Sequence, residues 1–221
     1  MMTAAGFSYA RARLHSRLAA RLAEPDWQQL ESSLDFAHAL ELAGRGPAAR
    51  MTRQLGRGSG VHAVEAALRQ ALQADIGEIA GWLPPRWRPV VEWVALLPAL
   101  REKAFAAQDG VRPAWFPGDT EGWEDAAAAW RREWARRLCA AGATAGLSTA
   151  LAPLPARYLG PEAGAGSPRL GRDALERHFL SAFRSGRDGP VAVFAFLALV
   201  LLDAERLRGI LVSRAVFAGE A

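Results

Sequence analysis

The stretch FAFLALVLLDAERLRGILVSRAVF, Phe194 to Phe217, decides how the chain is read. Twelve consecutive residues from Val191 to Leu202 are apolar; then Asp203, Glu205, Arg206 and Arg208 intervene, and Ile210, Leu211 and Val212 restore the apolar character. A helix needs about twenty apolar residues to cross a hydrocarbon core. Extending the run that far would immerse both acids and both arginines, at about 2.5–3.5 kcal/mol each. The stretch therefore does not span a membrane. It reads as one long helix that starts at Pro190 and runs to about Phe217. Its first half is apolar all round, as suits the deep interior of a bundle. In the second half Leu207, Ile210, Leu211 and Ala215 keep one face buried. Asp203 stands three residues before Arg206, and Glu205 three before Arg208. At that spacing each pair can meet along the helix surface for about 0.2–0.5 kcal/mol.

The same periodicity recurs on either side. Val61, Val64, Leu68, Leu72, Ile76, Ile79 and Leu83 line one face of a helix stopped by Pro84 and Pro85. Pro89 suits the first turn of the next helix, which carries Val90, Val94, Leu97, Ala104 and Phe105 and which Pro98 should kink or split. Phe7, Leu14, Leu18 and Leu22 form the first stripe, ended by Pro25. Asp26 is placed to cap a second helix with Trp27, Leu30, Leu34, Ala37 and Glu41. Trp123, Ala127, Trp130, Trp134 and Leu138 share a face, as do Leu170, Leu175, Phe179 and Phe183. Alternating runs of β-branched residues are absent. The expectation is an all-α, multi-helix bundle: a single domain over residues 1–221, with flexible segments near 44–60, 108–122 and 142–169.

Composition agrees with a folded chain, since 51% of the 221 residues are apolar and 23% charged. The formal charge is only +4, so the basic balance is weak ground for a nucleic-acid partner. Lys103 is the only lysine, and arginine with abundant alanine and glycine fits a GC-rich genome. Cys139 stands alone, which excludes a disulfide framework, makes a reducing compartment the default, and reads as a small buried hydrophobe. Arg11, Arg13, Arg17 and Arg21 interrupt any signal-peptide core. Residues 1–23 hold no acid, as in a transit peptide, but read better as a first helix.

The search for chemistry returns little. His15, His38, His62 and His178 are scattered; Asp35–His38 and His62–Glu65 are three apart but belong to no four-ligand set, so no metal is expected. Gly56-Arg-Gly-Ser-Gly60 has Val61 where a dinucleotide fingerprint needs glycine and follows no strand, so it reads as a linker. There is no nucleophile elbow. Neither a catalytic site nor a cofactor is expected. Trp123, Trp130 and Trp134 read as core, while Trp82, Trp87 and Trp93 surround the proline turn. Arg45, Arg50, Arg53 and Arg57, with the arginines of the first helix, leave one alternative function open: an arginine-rich helical module for nucleic-acid binding or protein interaction.

Three segments carry a resemblance. In FSYARARLHSRL, Tyr9, Ala10, Arg11 and Arg13 match a tyrosine followed after a short gap by Ala-Arg-x-Arg; residues 61–100 form a helical hairpin; and in the closing helix Glu205, Leu207, Arg208 and Ile210 follow an apolar run. In this order they resemble the first helix, interior hairpin and terminal helix of the C-type (also called d-type) subunit family of V-type and A-type rotary ATPases, in the form of a short bacterial member. The resemblance implies a funnel-like, all-helical protein of similar bundles, here with fewer or shorter repeats than the family norm. It implies a non-catalytic part of the central stalk rotor that sits on the membrane proteolipid ring and holds the stalk subunits during proton or other ion transport coupled to ATP synthesis or hydrolysis. It also implies a cytoplasmic place, peripheral at the inner face of the cell membrane. By the same resemblance Arg11, Arg13, Glu205 and Arg208 are the partner-binding or structural rim.

Overall fold

The computed structural model describes residues 2–98, 123–159, 168–186 and 189–218, with the side chains of 2–5, 123–124, 168–170 and 218 outside the description. Among the described residues every regular element is helical. In chain order they are α1 (Met2–Ala19), α2 (Glu24–Glu31), α3 (Phe36–Arg45), α4 (Ala49–Thr52), α5 (Val61–Gly81), α6 (Arg88–Val94), α7 (Trp123–Ala140), α8 (Ala145–Leu151), α9 (Pro153–Leu159), α10 (Pro168–Ser185) and α11 (Pro190–Ala218), with a 3-10 turn at Pro85–Trp87. The protein is an all-α, multi-helix bundle, as the periodicity predicts.

The chain divides into two compact units, each drawn from separate parts of the sequence. The first holds Met1–Ala10 and Ile76–Ala198; the second holds Arg11–Asp75 and Leu199–Ala221. Their borders fall inside α1, α5 and α11.

An aromatic series organises the first unit. Phe7 meets Trp87 edge-on at 5.5 Å, Trp87 lies 6.1 Å from Phe194, and Phe194 meets Trp134 edge-on at 5.6 Å. Trp134 stacks on Trp130 at 5.2 Å, and Trp130 on Trp93 at 6.3 Å. Edge-to-face and stacked pairs of this kind add about 0.5–1.5 kcal/mol beyond the area they bury. Gly6 allows α1 to approach the proline turn: a Cβ there would stand 3.0 Å from the Pro84 ring. The tryptophan faces are thus core, as expected, apart from Trp123, whose side chain lies outside the described residues.

The second unit has an aliphatic core. Trp27, Leu30, Phe36, Ala39 and Ala43 of α2 and α3 pack with Val64 and Leu68 of α5 and with Leu207, Ile210 and Leu211 of α11. Each Val, Leu, Ile or Phe side chain among them contributes about 1.5–3 kcal/mol when fully buried. Along α11 every residue from Ala192 to Leu202 is buried, so the uniformly apolar half is enclosed by protein on all sides. No helix among the described residues is long and apolar enough to cross a membrane.

Local chemistry sets several boundaries differently from the sequence expectation. The predicted helix from Trp27 to Glu41 is two helices, because Ser32 Oγ donates to the Gln29 carbonyl at 3.0 Å and Asp35 caps a new start, accepting from His38 N at 2.8 Å. Leu34, expected in a core stripe, lies in that turn and is 86% exposed. Asp26 is not the cap of α2. It sits in the first turn and accepts from Ala23 N at 2.8 Å, serving the same unpaired amides from inside the helix. Cys139 is exposed rather than buried; it follows Leu138 by one residue, about 100° round the helix from the face of Ala127, Trp130 and Trp134. The 44–60 stretch contains α4, and the 142–169 stretch contains α8 and α9, with Pro153 opening the latter. The predicted loop at 108–122 and the contacts of Ala104 and Phe105 lie outside the described residues.

α7 ends in a specific way. Gly142 takes a φ of +77°, its N–H donates to Cys139 O, and Ala143 N donates back to Leu138 O, both at 2.9 Å. This is the paired closure of a glycine-terminated helix, with glycine in the left-handed region that a Cβ disfavours.

Candidate partner interface around the last helix

The second half of α11 enters the core of the second unit carrying charge. Leu199, Asp203, Arg206 and Ile210 follow one another at intervals of four, three and four, so they share the face that the apolar pattern buries. Arg206 is accordingly 7% exposed. Its Nε donates to Glu31 Oε1 at 2.9 Å, and Nη1 and Nη2 donate to the two oxygens of Glu24 at 2.9 and 3.0 Å. The guanidinium also lies 4.8 Å from the centroid of the Trp27 ring. Burial disfavours its charge most strongly, yet the bonds to Glu24 and Glu31 outweigh this and raise the pKa.

One turn earlier, Asp203 receives Arg21 in a two-pronged pair, Nε to Oδ2 and Nη2 to Oδ1, both 2.7 Å. Further along, Arg208 pairs with Glu65 on α5, and Arg214 Nη2 donates to the Glu31 carbonyl at 2.9 Å. Pairing along the helix from Asp203 to Arg206 is therefore replaced by pairing between segments. A guanidinium on a buried face reaches carboxylates across the packing interface more readily than one on its own helix.

The four residues singled out by resemblance are placed as follows. Arg208 is exposed at the rim and tied to α5; Glu205 is half-buried on the same helix. Arg11 is half-buried on α1, its Nε donating to His15 Nε2 at 3.3 Å, and Arg13 is exposed. Sequence reasoning missed the ion-pair network of buried Arg206 with Glu24 and Glu31, and of Asp203 with Arg21. The signal was present: Asp203 and Arg206 occupy core register in an otherwise apolar stripe.

Two further features bear on what the unit can contact. Val216 and Phe217 at the end of α11 are 47% and 65% exposed, and Leu34 stands in the α2–α3 turn. Leu34 lies three residues beyond Glu31, and Phe217 three beyond Arg214, the two partners of one hydrogen bond. Of the arginines considered for nucleic acid, Arg45 pairs with Glu41 and Arg50 with Asp75, while Arg53 and Arg57 are exposed.

The histidines go to separate places: His15 to Arg11, His38 to the cap of α3, His178 against the Ala150 carbonyl at 3.0 Å, and His62 to the surface. Among the described residues, no three His, Cys, Asp or Glu side chains gather as a metal site would require. No protein-family model, curated protein or solved structure matches the chain.

Proposed function

We propose that the chain is a non-catalytic coupling subunit of a V-type or A-type rotary ATPase, seated between the central stalk and the membrane proteolipid ring. On this reading it acts at the inner face of the cell membrane, transmitting rotation while its partners hydrolyse or make ATP and move the ion. One observation supports the reading: two of the three segments that resemble the family, the hairpin and the closing helix, share one core, and the chain just past the first segment is tied to it. Val64 and Leu68 of the hairpin pack with Leu207 and Leu211 of the closing helix, Glu65 pairs with Arg208, and Arg21, two residues past α1, grips Asp203. A part that transmits torque must resist shear between helices. Ion pairs across a close-packed interface supply that resistance, because their geometry is directional where apolar contact is not. The exposed Leu34, Val216 and Phe217 offer apolar contact to a partner at the same unit.

The test is co-assembly of the purified full chain with the central-stalk subunits and proteolipid ring of its own source. Binding to both, weakened by Arg13→Glu, is the expected result. If the remaining subunits assemble and the chain binds neither partner, the proposal fails.

A further inference from the structure

The first unit carries a recess of about 410 Å³ on α6 and α7, lined by Trp93, Trp130, Arg132, Glu133, Arg136 and Arg137. Its tryptophans are buried and stacked on each other at 6.3 Å. Guanidinium groups form its rim. Arg136 donates Nε and Nη2 to the two oxygens of Glu133 at 2.6 Å, and Arg137 Nε donates to Glu133 Oε1 at 2.6 Å. Arg137 also donates Nη1 to the Pro89 carbonyl at 2.9 Å and lies 4.4 Å from the Trp93 ring centroid. Arg132 is exposed, and among the described residues no acid pairs with it.

Three arginines and one glutamate thus line one concave surface, an excess of two positive charges (three less one). Arginine near the end of a helix suits its dipole, which accounts for a cation at Arg137. It does not account for three of them around a recess. Glu133 acts as an internal brace: it fixes Arg136 and Arg137 in place while their other N–H donors stay available. Side chains held this way lose little freedom when an anion arrives.

We propose that this recess docks an acidic peptide segment of a partner protein, its Asp or Glu carboxylates entering the arginine rim. Planar guanidinium forks match carboxylates in charge and geometry. A nucleic acid would need open aromatic faces for its bases, but here Arg137 and Trp130 lie against Trp93, and Trp134 lies against Trp130. A bilayer would need exposed apolar side chains beside the arginines; among the described residues the large exposed ones, Tyr9, Leu34, Val216 and Phe217, belong to other elements. The proposal stands on these residues alone and does not rest on the coupling role.

The experiment titrates the full chain into a fluorescein-labelled oligoglutamate peptide at physiological ionic strength, read by fluorescence anisotropy. Arg132→Glu with Arg136→Glu is expected to weaken binding at least about tenfold. Arg177→Glu with Arg184→Glu, the same charge change on the exposed face of α10, is expected to weaken it less than about twofold. Arg132→Glu alone removes no bond of the fold and is expected to cost about threefold, so the result holds even where the double variant unfolds. Three outcomes would overturn the proposal: no measurable binding, equal losses at the two surfaces, or tighter binding through the same residues to phosphatidylserine vesicles or to oligothymidylate.

Discussion

Removing the Arg206 side chain should unlock the second unit. In Arg206→Ala, three charge-assisted hydrogen bonds and the contact with Trp27 disappear together. Deleting one partner of a buried ion pair costs about 3–5 kcal/mol, because the other charge is left without compensation. That range needs a discount, since the Glu24 side chain is 60% exposed and rehydrates, whereas that of Glu31 is 22% exposed and does so poorly. Loss of the stacked contact restores about 0.5–1 kcal/mol to the cost. The net is about 3 kcal/mol, or about 6–12 °C in melting temperature for a chain of this size. Far-ultraviolet circular dichroism at neutral pH measures it. Arg206→Lys should fall between, because an ammonium cannot bridge both carboxylates as a fork does. Glu24→Gln, at the wet end of the network, should cost less than about 1 kcal/mol. A melting temperature for Arg206→Ala within about 2 °C of the parent, or a loss in Glu24→Gln as large as in Arg206→Ala, would refute the reasoning.

Further outcomes follow from other sites. A double-mutant cycle on Arg21→Ala and Asp203→Ala should give a coupling of about 1–3 kcal/mol in denaturant melts, as the pair is two-pronged and mostly buried. Gly142→Ala should destabilise by about 1–2 kcal/mol; nothing stands within 4 Å of the added Cβ, so the loss is backbone strain, and Gly142→Asn should recover part of it in the same melts. The Glu133 carboxyl is held down from 4.5 to about 2, first by its bonds to Arg136, against burial, with Arg137 adding to the effect. A depressed carboxylate contributes stability that is present above its ordinary value and is lost as pH falls through the folded one. Glu133→Gln should therefore flatten the acid slope of stability between pH 4.5 and about 2 and change it little above.

What could be read in the sequence depended on the range over which each signal acts. The stripes of α5, α7 and α11 were legible because a 3.6-residue period survives whatever the helix packs against. Pro84, Pro89 and Pro190 were legible for the same reason: proline acts on its own backbone. The split at residues 32–35 was less visible, since Leu34 continues an apolar spacing while Ser32 and Asp35 end one helix and begin another through hydrogen bonds the pattern does not encode. The ion pairs were the hardest to see. Charges three apart on a helix have an evident local partner, and only the burial of Arg206 shows that it turns away to Glu24 and Glu31, 182 and 175 positions distant. Arg208 reaches across 143 positions to Glu65. The recess on α7 was not read from the sequence: arginines crowd residues 131–137 there, but α6 supplies the stacked Trp93 that makes it concave.

These distant pairs explain why a helix so apolar carries charge inside the fold. A cylinder that is greasy on every side packs almost equally well at many rotations about its axis, because apolar contact lacks direction. From Ala192 to Leu202 α11 is of that kind. Asp203 and Arg206 remove the freedom within the second unit. They lie on the stripe between Leu199 and Ile210, and a rotation that carries them away from Arg21, Glu24 and Glu31 would leave one acid and one guanidinium buried without partners. Such a state costs several kcal/mol per ion, more than the apolar contacts a rotated helix could regain at other positions. The ion pairs need add little to net stability to do this, since their effect is on the gap between the native rotation and its neighbours. Arg208 and Arg214, about half a turn and about two turns beyond Arg206, then repeat the selection through Glu65 and the Glu31 carbonyl. The charged half of Phe194–Phe217 is thus the part that fixes the rotation of α11 within the second unit.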